Sequence, residues 1–153
     1  MSRAFVKEVE SETIDLPDRP VSTHPNLVTA EGLVAIERTL SHFEAANKAS
    51  MAKDDRAAIT AIQRELRYWK ARRSTAKVVE PPTDKSKVHF GAMVTVRRDD
   101  GRAQTFRIVG EDEAEPARGT LSYVSPLARA VLGGKVGDDV EVPGGNATII
   151  EIR

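Results

Sequence analysis

Pro81-Pro82 separates two hydrophobic periods, and that break constrains the fold more than any other feature of the chain. Proline has no N–H and clashes with the helical turn before it, so a helix running into this pair must stop. Upstream, over residues 29–75, apolar residues recur at spacings of three and four. Downstream, over residues 88–152, they alternate. The first pattern belongs to helices with one buried stripe, the second to half-buried strands.

The helical part reads as two helices. Thr29 is suited to N-capping, with Glu31 in the first turn where the helix dipole favours an anion. Leu33, Ile36, Leu40 and Phe43 form one seam, and Ile59, Ile62, Leu66 and Trp69 form the other. Between them, Asn47, Lys48, Ala49, Ser50, Met51 and Ala52 lack the pattern, and Asp54 and Asp55 fit the start of the second helix. A short connection makes the two helices antiparallel, so a thin-seamed helical hairpin is expected over residues 28–80. Residues 81–86 read as a linker.

Residues 1–27 read as an extended or disordered tail. Glu8, Glu10, Glu12, Asp15 and Asp18 repel one another, while Pro17, Pro20 and Pro25 prevent a helix. An extended strap along the neighbouring helices is the alternative reading of the same residues.

Residues 87–153 predict a small α+β domain. Val88, Phe90, Val94 and Val96 suggest strands, and Asp99-Asp100-Gly101 is a hairpin turn signal. Residues 105–109 and 121–124 continue the strand pattern. Residues 126–132 form one short helix with proline in its first turn, ended by Gly133-Gly134. Residues 140–142 and 147–152 flank a last turn at Gly144-Gly145.

Composition excludes several classes. At 153 residues the chain holds one ordinary domain or two small ones. No apolar run approaches the roughly 20 residues of a membrane span, and the first residues hold no apolar signal core, so a cytoplasmic protein is expected. There is no cysteine, which rules out disulfides and thiolate zinc sites. His24, His42 and His89 are scattered without companion ligands, so no metal site is expected. Net charge is zero, with three basic and five acidic side chains in residues 1–27, ten and seven in 28–80, and ten and eleven in 81–153. That mixture suits a protein partner better than bare duplex DNA, which calls for a concentrated basic face.

The downstream motifs carry a family resemblance. Lys87-Val88-His89-Phe90-Gly91-Ala92, Phe106-Arg107-Ile108-Val109-Gly110 with Asp112-Glu113, the run 125–132, Val136-Gly137-Asp138 and Pro143-Gly144-Gly145 follow one another as in the C-terminal domain of the bacterial GreA/GreB transcript-cleavage factors. Upstream, Leu27-Val28-Thr29-Ala30-Glu31-Gly32 resembles the start of the GreB hairpin, and Arg67-Tyr68-Trp69 with Lys77-Val78-Val79 resembles its return. The resemblance implies a helical hairpin followed by a small FKBP-like antiparallel sheet with one short helix. It implies RNA polymerase as partner, bound at the secondary channel, with nascent RNA as a further contact. No membrane and no small-molecule substrate is implied. The family is not itself an enzyme: it stimulates RNA cleavage by the polymerase. It has no cofactor of its own, since the magnesium belongs to the polymerase and hairpin-tip acids help hold it.

The resemblance also assigns residues. Asp112 and Glu113, with Ser125, Pro126, Leu127 and Arg129, match segments that meet the polymerase. Here Pro126 would set the helix start, Leu127 and Leu132 would pack, and Arg129 would offer a bidentate donor. Read without the family, the same helix fills the concave face of the sheet. Arg64, Arg67, Lys70, Arg72, Arg73 and Lys77 give the second helix a basic face toward RNA or acidic polymerase surface, or else a solvated face whose stems cover the seam. Trp69 keeps the seam's spacing and reads as a core anchor.

The tip departs from the family. Lys48-Ala49-Ser50-Met51 stands where the resemblance places the tip acids, leaving Glu44, Asp54 and Asp55 as the nearest carboxylates. Asp54 and Asp55 are helix-capping residues or a substitute metal-binding tip. Each arm is shorter than the family's by roughly nine residues, on the order of 13 Å of reach. A non-cleaving competitor for the channel, similar to the short-hairpinned Rnk, is therefore the alternative function. A prolyl isomerase is a rival from another class, but His89, Phe90, Phe106 and Tyr123 are too few for an aromatic-lined pocket.

Overall fold

The computed structural model describes residues 16–153. Glu8, Glu10, Glu12 and Asp15 of the acidic tail lie outside the described residues. The chain forms two compact units. One contains Glu37–Ser74 with residues 16–21, and the other contains Ser22–Ile36 with Thr75–Arg153.

The first unit is a helical hairpin. Helix α1 spans Ala30–Ala52, its later part lying in this unit, and α2 spans Arg56–Thr75. The helices run antiparallel: Glu37 meets Arg73 at 3.5 Å, and Ser41, Glu44 and Lys48 share a groove with Leu66 and Lys70. α1 continues through Asn47–Ala52, the stretch without an apolar pattern. Alanine, lysine and methionine favour helix on their own, and a free helix end needs no buried stripe. The connection is thus only three residues, with Asp54 in the left-handed region at φ 51°. Asp55 then caps α2, its Oδ1 accepting the Ala58 N–H at 3.2 Å. The seam is thin, as its spacing predicts: Leu40, Phe43, Ile59, Ile62 and Trp69 are only partly buried, and Leu66 is the buried apolar residue.

Residues 16–26 carry no helix or strand. Residues 16–21 lie against α2 and take the strap form; the contacts are given below.

The second unit is built on a five-stranded sheet: β3 (Met93–Arg98), β4 (Ala103–Val109), β5 (Thr120–Ser122), β6 (Asp139–Val142) and β7 (Gly145–Ile152), in the order β5-β4-β3-β7-β6. Helix α3 (Pro126–Val131) packs on one face. Val94 and Val96, Phe106 and Ile108, and Ala147, Ile149 and Ile152 bury against Leu127, Ala128 and Val131 of the helix. The parity of the β7 residues breaks between Ile149 and Ile152. A register shift opposite Thr95/Val96 accounts for it: Val96 pairs with Ile149 and Thr95 with Glu151, leaving Ile150 as an extra residue. On the other face Thr95 and Thr105 are cross-strand partners whose hydroxyls meet at 2.8 Å.

The sheet differs from an all-antiparallel one at one edge. β5 runs parallel to β4, pairing Arg107 with Thr120 and Val109 with Ser122. Residues 110–119 make the crossover, with one 3-10 turn at Pro116–Arg118. Residues 87–92, which alternate like a strand, do not form one. Gly91 turns the chain at φ 87°, and Val88 instead bonds to the exit of α3, donating to Gly134 O and accepting from Gly133 N–H at 2.9 Å each.

This unit also contains a short parallel ladder, β1 (Leu27–Val28) on β2 (Lys77–Val78). Lys77 N–H donates to Asn26 O and Val79 N–H to Val28 O, at 2.9 Å each. Asn26 is buried and its Nδ2 donates to Thr75 Oγ1 at 3.2 Å. The sequence pattern placed residue 27 in a tail and residue 77 at a helix end. Two-residue strands are too short for any period to show.

Candidate functional site

Helix α2 carries six basic residues and one acid, Glu65. The structure sorts them. Arg72 is 1% exposed and belongs to the interior. Arg73 faces Glu37. Lys70 is exposed and opens, with Glu44 and Lys48, onto the groove between the helices. Arg64 and Arg67 point to the strap. Arg64 Nε donates to Pro17 O at 2.7 Å, and Arg67 Nε donates to Asp18 Oδ1 at 2.7 Å. Arg19 reaches back to Glu65 at 2.7 Å, with its guanidinium 3.8 Å from the Tyr68 ring centre and 5.7 Å from that of Trp69. Trp69 Nε1 also donates to Glu65, at 3.2 Å, and its ring meets Tyr68 edge-on. Trp69 is therefore half-buried under a cation, not a core anchor enclosed by the seam. Its spacing was right for the seam, but among the described residues two helices and a short strap supply no third layer to enclose a tryptophan.

Sequence reasoning missed Pro17, Asp18 and Arg19 as functional neighbours. The signal was present in Pro17 and Pro20, which hold the chain extended and can serve a fixed strap as well as a loose tail.

At the hairpin tip Asp54 and Asp55 have different neighbours. Asp55 is committed to the Ala58 N–H, and Asp54 lies 3.9 Å from Arg56 Nε with most of its surface in water. Among the described residues no group of three or more His, Asp or Glu side chains is placed to hold a cation. A divalent ion needs several oxygens at once, so the described tip acids do not by themselves make up a complete magnesium site.

The residues matched to polymerase contact divide between inside and outside. Leu127 is 8% exposed and belongs to the core of the sheet unit. Ser125 is the N-cap of α3, its Oγ accepting the Ala128 N–H at 3.4 Å. Pro126 and Arg129 are exposed, and Arg129 Nη2 lies 3.3 Å from His24 Nε2. Asp112 is half-buried.

Glu113 has an internal role that the resemblance did not assign. Its Oε2 accepts the N–H of Thr29 at 2.9 Å and of Gly110 at 3.2 Å, and its Oε1 accepts the Thr29 hydroxyl. Thr29 Oγ1 in turn accepts the Gly32 N–H at 3.0 Å, the N-cap bond of α1. A carboxylate is thus held against the start of a helix, where the dipole favours it. Gly32 is required by proximity: a Cβ there would lie 2.2 Å from Glu113 Oε2. Tyr123 Oη adds a hydrogen bond to Pro25 O. Within this unit Glu113 is thus engaged by hydrogen bonds and Leu127 by core packing.

No described helix is long and apolar enough to cross a membrane. Residues 83–153 match the family described as transcription elongation factor, GreA/GreB, C-term. The chain is 34% identical over 151 residues to transcription elongation factor GreB of Yersinia pestis, covering 84% of this chain and 88% of that protein. It is 34% identical over 144 residues to GreB of Pseudomonas putida, covering 80% and 89%. Among solved structures, GreA factor homolog 1 of Thermus thermophilus superposes with a TM-score of 0.39 at 18% identity, covering 85% of this chain and 99% of that one. Similarity over most of two relatives, with the C-terminal match on the sheet unit, shows that the chain belongs to the GreA/GreB family of transcription elongation factors.

Proposed function

We propose that this elongation factor binds RNA polymerase at the secondary channel and occupies it without completing a cleavage site. The observation that carries the reading is the tip: Asp55 caps its own helix and Asp54 faces Arg56, so neither is arranged to hold a second magnesium. The alignment with the Yersinia pestis relative supports a shortened segment, because 151 aligned residues fall on only 84% of a 153-residue chain. Exposed Pro126 and Arg129, with Asp112, form the proposed docking surface of the sheet unit. The basic face of α2, Arg64, Arg67, Lys70 and Arg73, is the proposed contact for nascent RNA or acidic polymerase surface.

The test is a backtracked elongation complex challenged with this protein and with a full-length Gre factor. Competition with the Gre factor and little transcript cleavage are expected. Arg129→Glu should weaken the competition while leaving the fold intact, since a surface charge reversal usually costs little stability. Strong cleavage by the unmodified protein that is lost in Asp54→Asn with Asp55→Asn would make those two residues catalytic ligands and overturn the reading.

A further inference from the structure

We propose that residues 16–21 are a displaceable occupant of the α2 face, and that lifting them uncovers a binding surface for single-stranded RNA. The inference rests on the reading that this face meets nascent RNA, and adds what controls access to it.

The strap imitates what a nucleic acid would supply. Arg64 is met by a carbonyl oxygen and Arg67 by a carboxylate, the kinds of acceptor that phosphate oxygens would replace. Between them, Arg19 neutralises Glu65, the acid that would otherwise repel a phosphate backbone. Its guanidinium lies over Tyr68 in the position a stacked base would take, with Trp69 alongside. Two arginines flanking two adjacent aromatic rings are the elements of a sequence-tolerant single-strand site: phosphate contacts for affinity and ring faces for stacking. The strap covers that combination and leaves Lys70 outside its contacts.

The strap is also built to leave. None of residues 16–21 is buried; Leu16 and Arg19 are partly covered and the rest are exposed. The Arg67–Asp18 pair has 52% and 69% of its side-chain surface in water, so it is weak and screened by salt. Pro17 and Pro20 restrict the strap to extended conformations, so docking it costs little entropy despite weak contacts. A polyanion releases counterions from several cations at once, which a single aspartate does not match.

The experiment uses the full-length protein and a labelled oligouridylate, with fluorescence anisotropy at low and at raised salt. Made in a Glu65→Gln background, so that loss of Arg19 exposes no acid, Asp18→Asn with Arg19→Ala should tighten binding about tenfold relative to Glu65→Gln alone, the sum expected of the exposed Arg67–Asp18 pair and one cation–π contact. Tyr68→Ala in that background should reverse part of the gain, and circular dichroism should show the helices retained. Asp18→Asn alone, a change at an exposed residue, should tighten binding by a smaller factor and serves if the double variant folds poorly. Unchanged RNA affinity in the folded strap variants overturns the proposal. If Arg64→Gln with Arg67→Gln still weakens RNA binding by the unmodified strap protein, the basic-face reading stands and only strap control falls. If that pair has no effect either, both fall. Strap variants that bind polymerase more tightly but RNA no better would also overturn it, in favour of an acidic protein surface.

Discussion

The two units of this protein are held together by different physics. In the sheet unit Val94, Val96, Ile108, Val131 and Ile149 are fully buried, and each such side chain contributes about 1.5–3 kcal/mol. Within Glu37–Ser74 the only buried residues are Leu66 and Arg72. The hairpin instead relies on partly covered apolar residues, ion pairs and a strap of a few residues. A core of the first kind fixes one geometry. A surface of the second kind can exchange its partners at small cost, which suits the part of a factor proposed to meet RNA and polymerase.

The largest effect expected from this contrast is in the core. Phe106→Ala should destabilise the sheet unit by about 3–5 kcal/mol, since Phe106 is 2% exposed and its removal leaves a cavity. The urea midpoint by circular dichroism measures it. Trp69 is the chain's single tryptophan, so its fluorescence follows the hairpin unit separately.

Next is the clamp at the start of α1. Gly32→Ala should cost about 1–3 kcal/mol, because the new methyl group displaces Glu113 from Thr29 and Gly110. Glu113→Ala placed on Gly32→Ala should add much less than it costs alone, as both act through one carboxylate. Additive losses in thermal melts would show that Gly32 is needed for another reason.

Trp69→Ala tests the hairpin. A half-buried ring predicts about 1–2 kcal/mol, below the figure for an enclosed tryptophan. A larger shift in the urea midpoint would mean that the hairpin has a real core and would erase the contrast between the units.

The smallest effect lies at Asp84. Hydrogen bonds from the Ser86 hydroxyl and backbone N–H, then the His89 ring, hold its carboxyl at about 2 against an ordinary 3.8. A folded value below the unfolded one gives stability that is complete above the unfolded pKa and lost as pH falls through the folded one. Asp84→Asn should therefore lower the melting temperature slightly at neutral pH, with the difference closing as pH approaches 2. The side chain is exposed, so a large shift would contradict its setting.

Local pattern carried much of this molecule. Spacings of three and four located both helices, Asp99-Asp100-Gly101 located the β3–β4 turn, and Ser125-Pro126 located the start of α3. The family motifs lie on the same elements, because they are made of the turn residues and core valines that build the sheet. Whether residues 87–92 form a strand was not legible, since alternation alone does not reveal that Gly91 turns the chain. The candidate site was legible only as a list of basic residues on α2. Which of them is interior, and which is covered by Asp18 or Pro17, was not.

What the sequence determined by itself was the identity and order of the three α-helices and of β3 to β7, since period, capping and turn chemistry act over a few residues. Tertiary structure alone decided the parallel pairing of β5, the extra residue at Ile150, the burial of Arg72 and the fate of Glu113. Glu113 meets Thr29 across 84 positions and Asp18 meets Arg67 across 49. A carboxylate facing solvent and one closing a helix end look identical in sequence. The difference lies in which distant donor the folded backbone brings within hydrogen-bond reach, and no local rule carries that information.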